Sequence, residues 1–175
     1  MRPEDVEEAL LIQARLLPLA TRLSVDFVEE SDLYFLLGCL DQMEAMALGG
    51  DVRGYLLQNQ RLISRLLELS RRPQLIKMTE RLIKQFLRYE AHLLSITGEM
   101  EKMVEGMRSV VDALSARDGD GAERAFQGLI EQTIQSVKSD EYQRIAEQWE
   151  KGERTFGDMQ ITETLEPIAE ERIKE

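Results

Sequence analysis

Apolar residues return at intervals of three and four along almost the whole chain, the spacing of one face of an α-helix. Leu10, Leu11, Ala14, Leu17 and Thr21 set the first stripe and predict a helix from about Pro3 to Ser24. Pro3 suits the first helical position, whereas Pro18 in the interior removes a hydrogen bond and bends the axis. A second helix is expected to start at Ser31 as N-cap, to carry Leu33, Leu36, Leu37, Leu40, Met43 and Ala47 on one face, and to end at Gly49-Gly50. Asp51 then caps a third, striped by Tyr55, Leu56, Asn59, Leu62, Ile63, Leu66 and Leu69. Pro73 opens a fourth, whose expected core face is Leu75, Met78, Leu82, Phe86, Tyr89 and Leu93, ending near Thr97-Gly98.

The fifth helix has the cleanest seam, Met100, Met103, Val104, Met107, Val110, Val111 and Leu114. After the turn at residues 118–121, Asp120 and Glu123 are placed as an N-cap and its third-residue partner. The sixth helix then carries Ala122, Ala125, Phe126, Leu129, Ile130, Ile134 and Val137. Tyr142, Ile145 and Trp149 suggest a seventh from Ser139 to Glu153; beyond Gly157 the pattern weakens, and Met159 to Glu175 reads as a mobile tail or docking arm. No stretch alternates as a strand would. Short loops make neighbours antiparallel, so the expected fold is all-α, an antiparallel bundle of six to seven helices. Residues 4–138 form the bundle and residues 139–175 a C-terminal extension.

Composition narrows the chemistry. The 175 residues suffice for one domain, and 22 Lys/Arg against 33 Asp/Glu give a net charge of −11. That excess argues against a nucleic-acid surface. Cys39 is the single cysteine and His92 the single histidine, which excludes an intrachain disulfide and any site built from several imidazoles. His92 beside Tyr89 and Glu90 could be a general base, but adjacent helical residues point in different directions, and a structural histidine is the better reading. Cys39 reads as a small core residue. No signal peptide or membrane span is evident, so a cytoplasmic location is expected. Residues 51–98 are locally basic, with Arg61, Arg65, Arg71, Arg72, Lys77, Arg81, Lys84 and Arg88, which reads as a solvated or intersubunit face.

Five stretches stand in order over roughly residues 5–135: Leu16-Leu17-Pro18-Leu19-Ala20-Thr21-Arg22-Leu23, Gly50-Asp51-Val52, Leu66 to Leu75, Arg108 to Leu114, and Asp118 to Ala125. Together they resemble the FCD domain, the effector-binding half of many GntR-type transcription regulators. The resemblance implies a helical bundle around a ligand pocket, usually dimeric. Many members hold a divalent metal there with one aspartate and three histidines. The matching positions here are Asn59, Ile63, Met107 and Leu129, and the family's pocket arginine on the first helix is replaced at Gln13. A metal of the family type is therefore not expected, nor any other cofactor.

Two outcomes follow for that pocket. It has filled in as ordinary core, or it survives with an apolar lining suited to a small apolar or amphipathic effector, to which Met78, Met100, Met103 and Met107 would adapt. In the second case Asn59, Ile63, Met107 and Leu129 would touch the ligand, with Gln13, Tyr89 and Arg88 as polar partners. The leading expectation is an effector-binding or dimerisation domain of a GntR-type regulator, without catalysis. A homodimer is expected, with DNA contacted only through a winged-helix domain absent from this sequence and no membrane contact. The alternative is a stand-alone protein-interaction module, using the bundle or the region of Trp149 and Phe156. A pocket above about 300 Å³ would favour the first, and a packed core with an exposed apolar patch the second.

Overall fold

In the computed structural model, residues 3–150 are described, with side chains from Val6 to Gln148 except that of Arg88. Phe156, the segment from Met159 and the Trp149 side chain lie outside the described residues. Seven helices follow one another: α1 (Pro3–Ser24), α2 (Glu30–Gly49), α3 (Val52–Leu69), α4 (Pro73–Leu94), α5 (Glu99–Ser115), α6 (Gly119–Val137) and α7 (Asp140–Glu150). The all-α bundle expected from periodicity is the fold observed. α1 runs through Pro18 as one helix.

Local chemistry fixes where the helices begin. The Asp51 carboxylate accepts from Gly54 N–H at 2.9 Å, and Asp118 does the same for Gly121 at 2.8 Å. In both, aspartate at the N-cap occupies a donor that the first turn leaves without a partner. The glycine three residues on makes room, since a Cβ there would collide with the capping carboxylate. The cap of α6 is thus Asp118 rather than Asp120. Asp120 and Glu123 instead pair with Arg22 of α1, at 3.1 and 3.2 Å. Likewise α2 is capped at Glu29 rather than Ser31: Glu29 N–H donates to Asp32 Oδ2 at 2.8 Å. Asp32 is buried, and Arg65 Nε of α3 donates to its other oxygen at 2.8 Å, locking α2 to α3.

Helix order in space follows from the contacts. α1 packs on α6, α6 on α5, α5 on α2, and α2 on α3, the α1–α6 contact being the most extensive, while α4 lies against both α1 and α3. Arg22 near the end of α1 meets the start of α6, and Glu7 near the start of α1 meets Lys138 just past its end at 2.7 Å, so the two run antiparallel. α5 and α6 approach closely at Gly106, where a Cβ would come within 2.6 Å of Leu129 Cδ1. α7 packs mainly on α4, through the buried Tyr142.

One helix is turned from its expected orientation. α4 buries Ile76, Thr79, Phe86, Leu87, Glu90 and Leu94, and Met78 is 57% exposed. Leu75, Phe86 and Leu93 are buried as expected, but the centre of the face lies one residue further along than the sequence stripe. α4 is covered on one side by α1 and α3 and on another by α7, so its apolar arc is wide and its centre is poorly marked.

Candidate functional site

Five helices converge on a cavity of about 90 Å³. α1 contributes Leu10, Gln13 and Leu17; α3 contributes Asn59 and Ile63; α5 contributes Met103 and Met107; α6 contributes Phe126, Leu129, Ile130 and Thr133. α4 supplies Ile83, Phe86 and Glu90, and Gln60, Ser64, Glu80 and Lys84 complete the lining. Because these last four are half-buried or exposed, the cavity opens between α3 and α4. Its volume is below the 300 Å³ mark, yet the core at these positions has not closed.

Of the residues singled out in the sequence, Gln13, Asn59, Ile63, Met107 and Leu129 all line this space. Met103 joins them; Met100 is buried elsewhere and Met78 faces solvent. Tyr89 does not line the cavity: it is half-buried, its ring edge-to-face with His92 at 5.9 Å. It sits one position before the residue that does point inward. Arg88 lies in α4, and its side chain is outside the described residues.

The residue that sequence reasoning passed over is Glu90. It is buried, and its Oε1 accepts from Asn59 Nδ2 at 2.7 Å. Burial raises its carboxyl to about pKa 7, against a smaller opposing effect of the Asn59 hydrogen bond, and no ion pair reaches it among the described residues. An acidic group thus lies in the cavity on α4, facing Asn59 of α3. The only signal available was a lone acidic residue inside an otherwise apolar arc.

Polar valence is left over around it. Asn59 Oδ1 and Gln13 Nε2 are buried and have no hydrogen-bond partner. One is an acceptor and the other a donor, so the cavity presents both kinds of site on an apolar wall. Thr133 spends its hydroxyl on the Leu129 carbonyl at 3.0 Å. Tyr55, close behind Glu90 and pushed up in pKa chiefly by burial, donates to the Met100 carbonyl at 3.2 Å.

Arrangement and sequence together place the chain among known proteins. The FCD domain family matches residues 8–132, which include every cavity-lining residue except Thr133. The chain belongs to the FCD domain family. Among solved structures, E. coli McbR/YncC is similar with a TM-score of 0.71 and 21% identity, over 77% of this chain and 68% of that one. A structure described as Lar, which controls the expression of the Listeria monocytogenes agr system and mediates virulence, is similar with a TM-score of 0.68 and 13% identity. That match covers 79% of this chain and 65% of the other. No curated protein matches.

FCD domains that hold a divalent ion need oxygen and imidazole donors, and the residues here do not fit one. Ile63, Met107 and Leu129 bring two hydrocarbons and a thioether to the lining, and Asn59 already donates to Glu90. Among the described residues, no three His, Cys, Asp or Glu side chains are grouped to hold a metal ion.

The remaining reactive residues have structural settings. Cys39 is buried in the core, and burial raises its thiol pKa, the opposite of nucleophile activation. His92 is buried against Tyr89. Part of the basic block is spent on contacts within the bundle: Arg65 on Asp32, Arg61 over the Phe35 ring at 5.4 Å, and Arg71 over Phe27 at 4.2 Å. No helix among the described residues is long and apolar enough to cross a membrane.

Proposed function

We propose that this FCD domain is the effector-binding and dimerisation part of a GntR-type transcriptional regulator. The observation that carries the reading is the five-helix cavity, apolar for most of its lining and supplied with Gln13, Asn59 and Glu90 as converging polar groups. In lining, though not in volume, such a combination has the general form of a small-molecule site. The effector is small, apolar or amphipathic, and bound without a metal, a cofactor or catalysis. DNA contact belongs on this reading to a winged-helix domain rather than to these helices, and the protein works in the cytoplasm as a homodimer. The division near residue 138 is part of the same reading, the bundle carrying the effector and the extension serving another role. Lar's control of gene expression, as described for that protein, supports the regulatory assignment.

The methionines provide the test. With methyl-labelled methionine, a screen of small amphipathic molecules is expected to shift the Met103 and Met107 signals and leave Met78 unmoved, because only the first two line the cavity. Ile63→Phe, which adds bulk to the same wall, is expected to abolish those shifts. Ligands that move only surface methyls would count against the reading.

A second reading rests on a different observation. Leu11, Ile12 and Leu19 of α1, and Tyr34, Phe35 and Leu48 of α2, are exposed apolar side chains, Leu48 by 82% and Tyr34 by 70%. They favour a protein-interaction module, and sedimentation equilibrium with Tyr34→Ser or Leu11→Ser separates self-association from a surface that awaits another partner.

A further inference from the structure

The cavity holds one buried acid and no buried base. Glu90 has a single hydrogen-bond donor, Asn59, and no cationic side chain balances it among the described residues. Lys84, the basic residue of the lining, is exposed and six residues away on the same helix, about a third of a turn around the axis from Glu90. A carboxylate in such surroundings is poorly solvated, and a matching charge would stabilise it. Asn59 adds to the demand: it turns its NH₂ to Glu90, which leaves its Oδ1 buried and without a donor. Both unfilled acceptors thus lie on the Glu90–Asn59 side of the cavity and call for N–H donors. Gln13 Nε2, on α1, has the opposite need and calls for an acceptor.

We infer that the cavity takes a small organic ammonium ion, its N–H groups shared between the Glu90 carboxylate and Asn59 Oδ1 and its hydrocarbon body against Ile63, Met103, Met107 and Leu129. A ligand with a hydroxyl or carbonyl oxygen would also satisfy Gln13. Size limits the choice further: 90 Å³ has room for roughly six to nine water-sized atoms, enough for a short amine and too little for a long acyl chain. An organic acid would place its carboxylate near Glu90, so once Glu90 is ionised acids are disfavoured by repulsion. This inference rests on the cavity being an effector site and adds the charge class of the effector.

The test uses three probes of similar body and different charge, cyclohexylamine, cyclohexanol and cyclohexanecarboxylate. Each is titrated into the full chain at about pH 8, where amine and Glu90 are both ionised, and read by the Met103 and Met107 methyl signals. Cyclohexylamine is expected to bind roughly tenfold or more tightly than cyclohexanol, and the acid not at all. Glu90→Gln keeps the shape and the hydrogen-bonding capacity, and it is expected to erase the preference for the amine over the alcohol. The inference is overturned if Glu90→Gln binds the amine as well as the unaltered chain does, or if the alcohol or the acid binds as tightly as the amine. In either case binding that Ile63→Phe abolishes would leave the effector site standing with a different ligand class. Failure of all three probes to move either methyl would overturn both the ligand class and the site.

Discussion

Asn59 of α3 donates its amide to Glu90 of α4 across 2.7 Å, in the interior of the bundle and beside its cavity. The pair joins two helices that otherwise touch little and between which the cavity opens. It leaves the carboxyl short of donors and the amide short of one, a state that a stably filled core would avoid.

Stability is expected to carry the mark of this carboxyl. The folded chain holds the Glu90 proton up to about pH 7, whereas the unfolded chain releases it near 4.5. Between these values the native state binds more protons, so Glu90 makes stability fall as pH rises through the window, by about 3 kcal/mol once it is complete. Glu90→Gln removes that loss. Its stability relative to the unaltered chain is expected to be near zero at about pH 4.5 and to grow towards about 3 kcal/mol at pH 8, measured by urea unfolding at both values.

Asn59→Ala is expected to act in the opposite sense. It removes the donor that holds the Glu90 pKa down, so the titration moves higher. The variant should lose about 1–3 kcal/mol above neutrality and less under acid conditions, where the carboxyl is protonated. The same unfolding series reads both effects.

How the sequence did and did not disclose this site can be traced through α3 and α4. The stripe from Tyr55 to Leu69 places Asn59 and Ile63 on the buried face of α3, and that is where they lie. α3 has one strongly covered side and a polar back, so its period points to one direction. α4 has cover on more than one side, and apolar residues at 75, 76, 78, 82, 83, 86, 87, 89, 91, 93 and 94 leave the centre of its arc undetermined by spacing alone. A one-residue turn of that helix exchanges Tyr89 for Glu90 as the side chain facing the cavity. The helix caps show the same limit on a smaller scale: Asp118 and Asp120 are both good N-caps, and the choice fell to Asp118 because Gly121, rather than Glu123, stands three residues on. The cavity itself, a volume left among five helices, has no local sequence signal.

The α2–α3 lock gives a third expectation. Asp32 is buried, holds the N–H of Glu29 and receives Arg65. Asp32→Ala removes a helix cap and strands part of the guanidinium, and is expected to cost about 2–4 kcal/mol, discounted because Arg65 keeps partial access to water and a second partner, Glu68. Arg65→Ala should cost less than Asp32→Ala if the cap accounts for a separate share. Chemical denaturation of the two variants and of the double variant tests this directly.

Tyr142 supplies the last. Its side chain is buried where α7 meets α4, and its hydroxyl has no hydrogen-bond partner. Tyr142→Phe is expected to leave stability unchanged or raise it by about 1 kcal/mol, because the ring is kept and an unpaired polar atom is removed. Tyr142→Ala should instead cost about 3 kcal/mol and release amide protons of α7 to solvent exchange before those of the bundle, observable by hydrogen-exchange mass spectrometry.

Gly106 does not line the cavity, but it lies against the Leu129 side chain, which forms part of the wall. The hydrogen atom that stands there in place of a methyl group leaves Leu129 the room it occupies. A single carbon added there would force the leucine to shift, so the shape of the cavity depends on a residue that does not line it. The contour of the cavity and its buried acid thus depend on separate helices, α5 and α4.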